Sequence, residues 1–149
     1  MPYIAPELFN GGVYSQASDV YAFGIIMWEI SSGERPFGDI VHDKELATRI
    51  FLHGLRPTIT DDTPQFYRDL MEKCWHSDPS QRPTAVEIFH LMGEWDAEYR
   101  YTKEMIDQIN KAEVIRIRNK SSKKETKIPN PGAIYTSRLM PNISKGELF

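Results

Sequence analysis

Two carboxylates, Asp19 and Glu29, stand inside the most apolar run of the chain, SQASDVYAFGIIMWEISS at positions 15–32. A carboxylate taken out of water must find hydrogen-bond donors. Asp19 therefore either finds hydrogen-bond donors within the fold or is a first-turn charge favoured by the helix macrodipole. Glu29, near the end of the run, suits a structural hydrogen bond at a helix terminus. The other chemically capable side chains lack a constellation. His42, His53, His76 and His90 are scattered over three expected helices and a turn, without spacing that gathers metal ligands on one face. Cys74, the single thiol, has no positioned base to activate it and reads as a small core residue beside Trp75. The cations Arg116, Arg118, Lys120, Lys123, Lys124 and Lys127 suit phosphate groups or a nuclear signal, but no aromatics interleave them, and a solvated linker is the simpler reading.

The run at 15–32 carries apolar residues on nearly every side: Val20, Phe23, Met27 and Ile30 recur at helical spacing, and Tyr21, Ile25, Ile26 and Trp28 fill the rest. A helix of that kind must be buried. It would span roughly 27 Å, about the diameter of a small domain. Ser15 is its expected N-cap, and Gly33 followed by Pro36 its stop. Before it, Pro2 and Pro6 forbid a continuous helix, leaving an irregular loop with one turn after Pro6. After it, Asp43 caps a helix to about His53, with Leu46, Ala47, Ile50 and Phe51 as its apolar face. Thr63 as cap and Pro64 at the first position open another, which ends near Trp75. A threonine and an acidic residue at Thr84 and Glu87 form a capping box, opening a helix to about Tyr101 whose apolar face is Val86, Phe89, Met92, Trp95 and Tyr99. Met105, Ile106, Ile109, Ala112 and Ile115 then hold a helical period to Arg118.

The chain has 149 residues, 40% apolar and 26% charged, enough for one domain with a core plus a tail. A net charge of −3 supplies no field that would call for nucleic acid or anionic lipid. No leader or spanning run is seen, so no membrane partner and a cytoplasmic location are expected. From Asn119 the chain is basic, proline-bearing and poor in apolar residues, and disorder is expected.

Three motifs in order, Ala5-Pro6-Glu7, then Asp19-Val20-Tyr21-Ala22-Phe23-Gly24, then Cys74-Trp75 through Asp78-Pro79 to Arg82-Pro83-Thr84, resemble the C-terminal lobe of the protein kinases. The resemblance covers about the first hundred residues. It implies a mainly α fold with the N-terminal β lobe absent, a partial kinase domain at 1–101, an amphipathic helical extension at 102–118 and a basic tail at 119–149. It implies an ion pair between Glu7 and Arg82, Asp19 as the anchor of a catalytic loop, and Pro2, Tyr3 and Glu29 facing substrate. The Cys-Trp and Arg-Pro-Thr features resemble both the tyrosine kinases and the tyrosine-kinase-like group, and Tyr3, where tyrosine kinases usually carry tryptophan, favours the tyrosine-kinase-like serine/threonine group over a tyrosine kinase.

Phosphoryl transfer needs a glycine-rich loop, a phosphate-binding lysine, a catalytic Asp with a metal-binding Asn, and an Asp-Phe-Gly metal ligand. The sequence holds no Gly-x-Gly-x-x-Gly, His-Arg-Asp or Asp-Phe-Gly. The expectation is a truncated kinase, inactive as this chain, with no catalytic, cofactor or metal residue of its own. ATP and Mg²⁺ belong to the intact parent, and protein substrates or regulators are its expected partners. The alternative is a stand-alone, non-catalytic helical interaction module. Either way the flanks of the central helix lose the neighbours that precede it in the kinase fold, and exposed apolar surface is expected there.

Overall fold

The computed structural model describes residues 1–95, 101–121 and 128–136, and among these it is helical, with no strand. The chain opens on a tight turn in which the Ile4 amide donates to the Met1 carbonyl at 3.0 Å. A 3-10 turn follows at Pro6–Asn10, entered through Pro6 and closed by Gly11 in the left-handed region. Helix α1, Gln16–Ser32, starts on a capping box: the Ser15 side chain accepts from the Ser18 amide, and the Ser18 side chain accepts from the Ser15 amide. Gly33, at φ 69°, ends it.

Helix α2, Lys44–Leu52, is capped by Asp43, whose Oδ1 accepts from the Leu46 amide at 3.0 Å. Leu46, Ala47 and Ile50 are buried with Met1 and Phe9 in a small core that also takes Ile4, Phe37 and Phe51. Helix α3, Gln65–Cys74, packs against α1 in the larger core, which collects Val20, Tyr21, Ile25, Met27, Trp28, Leu70, Met71, Cys74 and Trp75. The two helices approach closely at Gly24, where a Cβ would lie 2.9 Å from the Cys74 Cβ. Two bonds clamp the seam: the Tyr67 hydroxyl donates to the Met27 carbonyl at 3.0 Å, and the Trp28 indole donates to the Thr58 carbonyl at 2.9 Å. Burial pushes the Cys74 thiol up to about 12, so it stays protonated.

Helix α4, Ala85–Gly93, opens on the capping box of Thr84 and Glu87. Helix α5, Lys103–Ser121, carries Ala112 inward. It meets the start of α3 through the Gln108 side chain, which accepts from the Phe66 amide at 3.0 Å, and through Arg116, 3.5 Å from Asp62.

Several expectations are corrected. Helix α1 is not buried all round: Asp19 is exposed, and Ile26 and Ile30 are 43% and 72% exposed. Helix α3 begins at Gln65 rather than on Pro64, and Thr63 is not its cap. The Thr63 hydroxyl pairs with that of Thr60 at 3.1 Å, while Gln108 takes the amide a cap would have satisfied. Helix α4 stops at Gly93, well short of Tyr101, and Tyr99 lies outside the described residues. Val86, Phe89 and Met92 are exposed, and the buried residue of α4 is Ile88. Helix α5 runs past Asn119 to Ser121. Residues 128–136, inside the segment expected to be disordered, lie against the loop between α1 and α2; the basic residues Lys123, Lys124 and Lys127 fall outside the described residues.

Candidate functional site

Glu7 is held at the second position of the 3-10 turn, pointing at Arg82 on the chain after Pro79–Gln81. The contact is bidentate: the two Arg82 terminal nitrogens donate to Glu7 Oε1 and Oε2, each at 2.8 Å. The Arg82 side chain is fully buried, against 22% exposure for Glu7. Its remaining donors are also spent, Nε on the His76 carbonyl and Nη1 on the Ala17 carbonyl, both at 2.8 Å. A buried guanidinium requires this degree of satisfaction. Burial works to raise the Glu7 carboxyl, but the hydrogen bond and charge of Arg82 outweigh it and hold the carboxyl below its ordinary value.

Tyr21, from α1, lies beneath this pair, and two guanidinium groups flank its ring, Arg56 at 4.9 Å and Arg82 at 5.2 Å from the centroid. Burial raises the Tyr21 hydroxyl to about 12, with both cations pulling it back. Arg56 donates to the carbonyls of Trp75 and Leu55 at 2.9 Å and to the Ser77 hydroxyl at 3.2 Å. It therefore ties the segment before α3 to the segment after it. Sequence reasoning passed over Arg56 and the ring role of Tyr21. A signal was present: Arg-Pro-Thr occurs twice, at 56–58 and 82–84, and both arginines converge on Tyr21. The residue before proline is driven to extended backbone, as Arg82 shows at φ −80° and ψ 142°.

A second cluster joins Tyr3, Glu29 and Arg35. The Tyr3 hydroxyl donates to Glu29 Oε2 at 2.5 Å, and Arg35 Nε lies 3.7 Å from Glu29 Oε1. Burial, then the Glu29 carboxylate, raise the Tyr3 hydroxyl well above its ordinary value, so it remains a donor. Pro2 does not face outward with its neighbour; it is fully buried, drawn inside by the turn that brings Met1 and Ile4 onto the smaller core. Asp19 is not brought to either cluster and stands exposed on α1.

Among the described residues no three His, Cys, Asp or Glu side chains are grouped to hold an ion. The two clusters are instead pairing sites, which can fix backbone segments and present a hydroxyl and a carboxylate. No helix among the described residues is long and apolar enough to cross a membrane.

Residues 1–92 match the family described as protein tyrosine and serine/threonine kinase. A probable serine/threonine-protein kinase of Dictyostelium discoideum is 40% identical over 92 residues, covering 62% of this chain and 10% of that protein. The human mitogen-activated protein kinase kinase kinase 7 is 38% identical over 90 residues, covering 60% of this chain and 15% of its own length. The cyclic GMP-binding protein C of Dictyostelium discoideum is 38% identical over 95 residues, covering 62% of this chain and 4% of that protein. The chain thus spans a small part of the curated relatives it matches.

Proposed function

The chain belongs to the protein tyrosine and serine/threonine kinase family, and we propose that it is the C-terminal-lobe portion of an ATP-dependent protein kinase that phosphorylates serine or threonine in proteins. The observation that carries this reading is the bidentate Glu7–Arg82 pair, which joins two motifs 75 residues apart. The serine/threonine kinases among the relatives support the choice of acceptor residue. In the intact kinase, Tyr3 and Glu29 face the protein substrate, and Asp19 anchors the catalytic loop. The exposed carboxylate of Asp19 supports that role, since it is open to backbone N–H groups from a segment outside this chain. The parent is a cytoplasmic signalling enzyme that takes ATP and Mg²⁺.

The 149-residue sequence holds none of the glycine-rich, His-Arg-Asp or Asp-Phe-Gly motifs, and this chain transfers no phosphate. Incubating the purified chain with labelled ATP, Mg²⁺ and a generic protein acceptor is expected to leave the acceptor unlabelled. The same assay on the natural protein, captured by an antibody against residues 128–136, is expected to label it, at a mass above 17.2 kDa. Labelling by the 149-residue chain would overturn the inactivity. A natural product of 17.2 kDa that transfers nothing would replace this reading with a stand-alone interaction module.

A further inference from the structure

The segment at 128–136 lies beyond the residues that match the kinase family, yet it is held by a specific set of bonds. Asn130, Pro131, Gly132 and Ala133 form a turn closed by the Ala133 amide donating to the Asn130 carbonyl at 2.9 Å. Proline after asparagine suits such a turn, and the Asn130 side chain adds a bond from the Gly132 amide at 2.8 Å. The turn exchanges backbone hydrogen bonds with the loop between α1 and α2: the Asn130 amide donates to the Gly38 carbonyl at 2.8 Å, and the His42 amide donates to the Gly132 carbonyl at 2.9 Å.

Side chains fix the register. His42 is 1% exposed, its Nδ1 is 2.9 Å from the Ile134 carbonyl, and its Nε2 is 3.1 Å from the Phe37 carbonyl. Its ring meets Tyr135 edge-on at 4.8 Å. The Tyr135 hydroxyl donates to the Pro36 carbonyl at 3.1 Å, and the Arg35 guanidinium lies 4.9 Å over the Tyr135 ring. Phe37, in the middle of the receiving loop, sits at φ 55°, a strained conformation for a side chain with a Cβ. Such strain persists where surrounding contacts over-determine it, and it marks functional loops. The fit is tight at both glycines: a Cβ on Gly132 would come within 2.9 Å of Val41 Cγ1, and one on Gly38 within 3.2 Å of the Tyr135 hydroxyl.

We propose that the loop from Arg35 to His42 is a docking surface for an extended peptide with an Asn-Pro-Gly turn followed by an aromatic residue, and that the chain's own segment at 130–135 is its resident occupant. Recognition is of turn against loop: main-chain hydrogen bonds from Asn130 and to Gly132 give affinity, and the packing of Tyr135 on His42 and Arg35 gives specificity. The surface adjoins the Tyr3–Glu29 cluster through Arg35, which touches both Tyr135 and Glu29. Occupancy by the tail therefore covers one side of that cluster.

Amide exchange followed by NMR on the full chain tests this, comparing wild type with Gly132→Val and with Asn130→Ala. Both changes lie outside the packed helices, so the fold is retained. The backbone amides of positions 42 and 130 are expected to be protected in the wild type and to exchange at least about tenfold faster in both variants, together. Equal exchange in wild type and variants would overturn the docking. A synthetic peptide of residues 128–136 is expected to restore His42 protection when added to the Gly132→Val chain and to change nothing in the wild type. Failure to restore it would also overturn the proposal. Protection that rises with protein concentration, alongside a doubled mass, would overturn the assignment to the chain's own tail in favour of a second copy.

Discussion

The Glu7–Arg82 pair is the contact whose loss should be felt most, because Arg82 is fully buried and, among the described residues, its guanidinium is paired with the Glu7 carboxylate and otherwise with carbonyls. Breaking a buried pair by removing one partner typically costs about 3 to 5 kcal/mol. Glu7 keeps some contact with water, so Glu7→Gln, which also retains one acceptor, is expected to cost about 2 kcal/mol. Urea unfolding would measure it as a lower midpoint at unchanged slope. The same pair sets an acid limit. The Glu7 carboxyl is held below its ordinary value of 4.5, so the folded chain binds fewer protons at this group than the unfolded chain as the solution turns acid. Its contribution is complete above 4.5 and is lost as pH falls through the depressed folded value. The acid destabilisation of the wild type should therefore be steeper than that of Glu7→Gln below pH 4.5, and parallel curves would remove Glu7 from the explanation. The pair was legible as two motifs, each with a proline that stiffens the backbone. The partners of Tyr21 and Tyr3 were not, since a ring between two guanidinium groups and a hydroxyl on a carboxylate depend on contacts with no sequence period.

At the level of elements, the crossing of α1 and α3 is set by Gly24. A Cβ there would be 2.9 Å from the Cys74 Cβ and 3.0 Å from the Trp75 amide nitrogen, and the latter is backbone that cannot turn aside. Gly24→Ala would gain helix propensity of up to about 1 kcal/mol, but overpacking typically costs 1 to about 3 kcal/mol. A net loss of about 1 kcal/mol is expected, read as a fall in thermal midpoint; a rise would mean the helices slide apart without penalty. Helix starts were readable wherever a side chain performs the capping locally, as at Ser15, Asp43 and Thr84. They were misread where a distant residue does so: Gln108 supplies the acceptor at α3, 42 positions away from Phe66. The inward face of α4 was misassigned for a related reason. Its apolar residues occupy most of the helix, so periodicity alone could not say that Ile88 would be the buried one.

Across the described residues, two cores account for what packs, and the face of α1 bearing Asp19, Phe23, Ile26 and Ile30 runs from the edge of the larger core, which Phe23 touches, out to solvent. These positions follow one another at intervals of four, three and four, so they lie along a single stripe. Phe23 is half-buried, whereas Ile26 and Ile30 are 43% and 72% exposed. Apolar surface next to an exposed carboxylate is what an element built to meet another part of a protein presents. Because neither isoleucine fills a core, replacing both by glutamine opens no cavity, and stability should change by no more than about 0.5 kcal/mol. The surface consequence should be larger: the Ile26→Gln, Ile30→Gln chain is expected to bind less of an environment-sensitive hydrophobic dye and to self-associate less in light scattering. Loss of cooperative unfolding in the double variant would instead mean that these side chains are held inside the fold. An unchanged dye signal would place the adhesive surface elsewhere, with Val86 and Phe89 of α4, 64% and 73% exposed, as the next pair to replace.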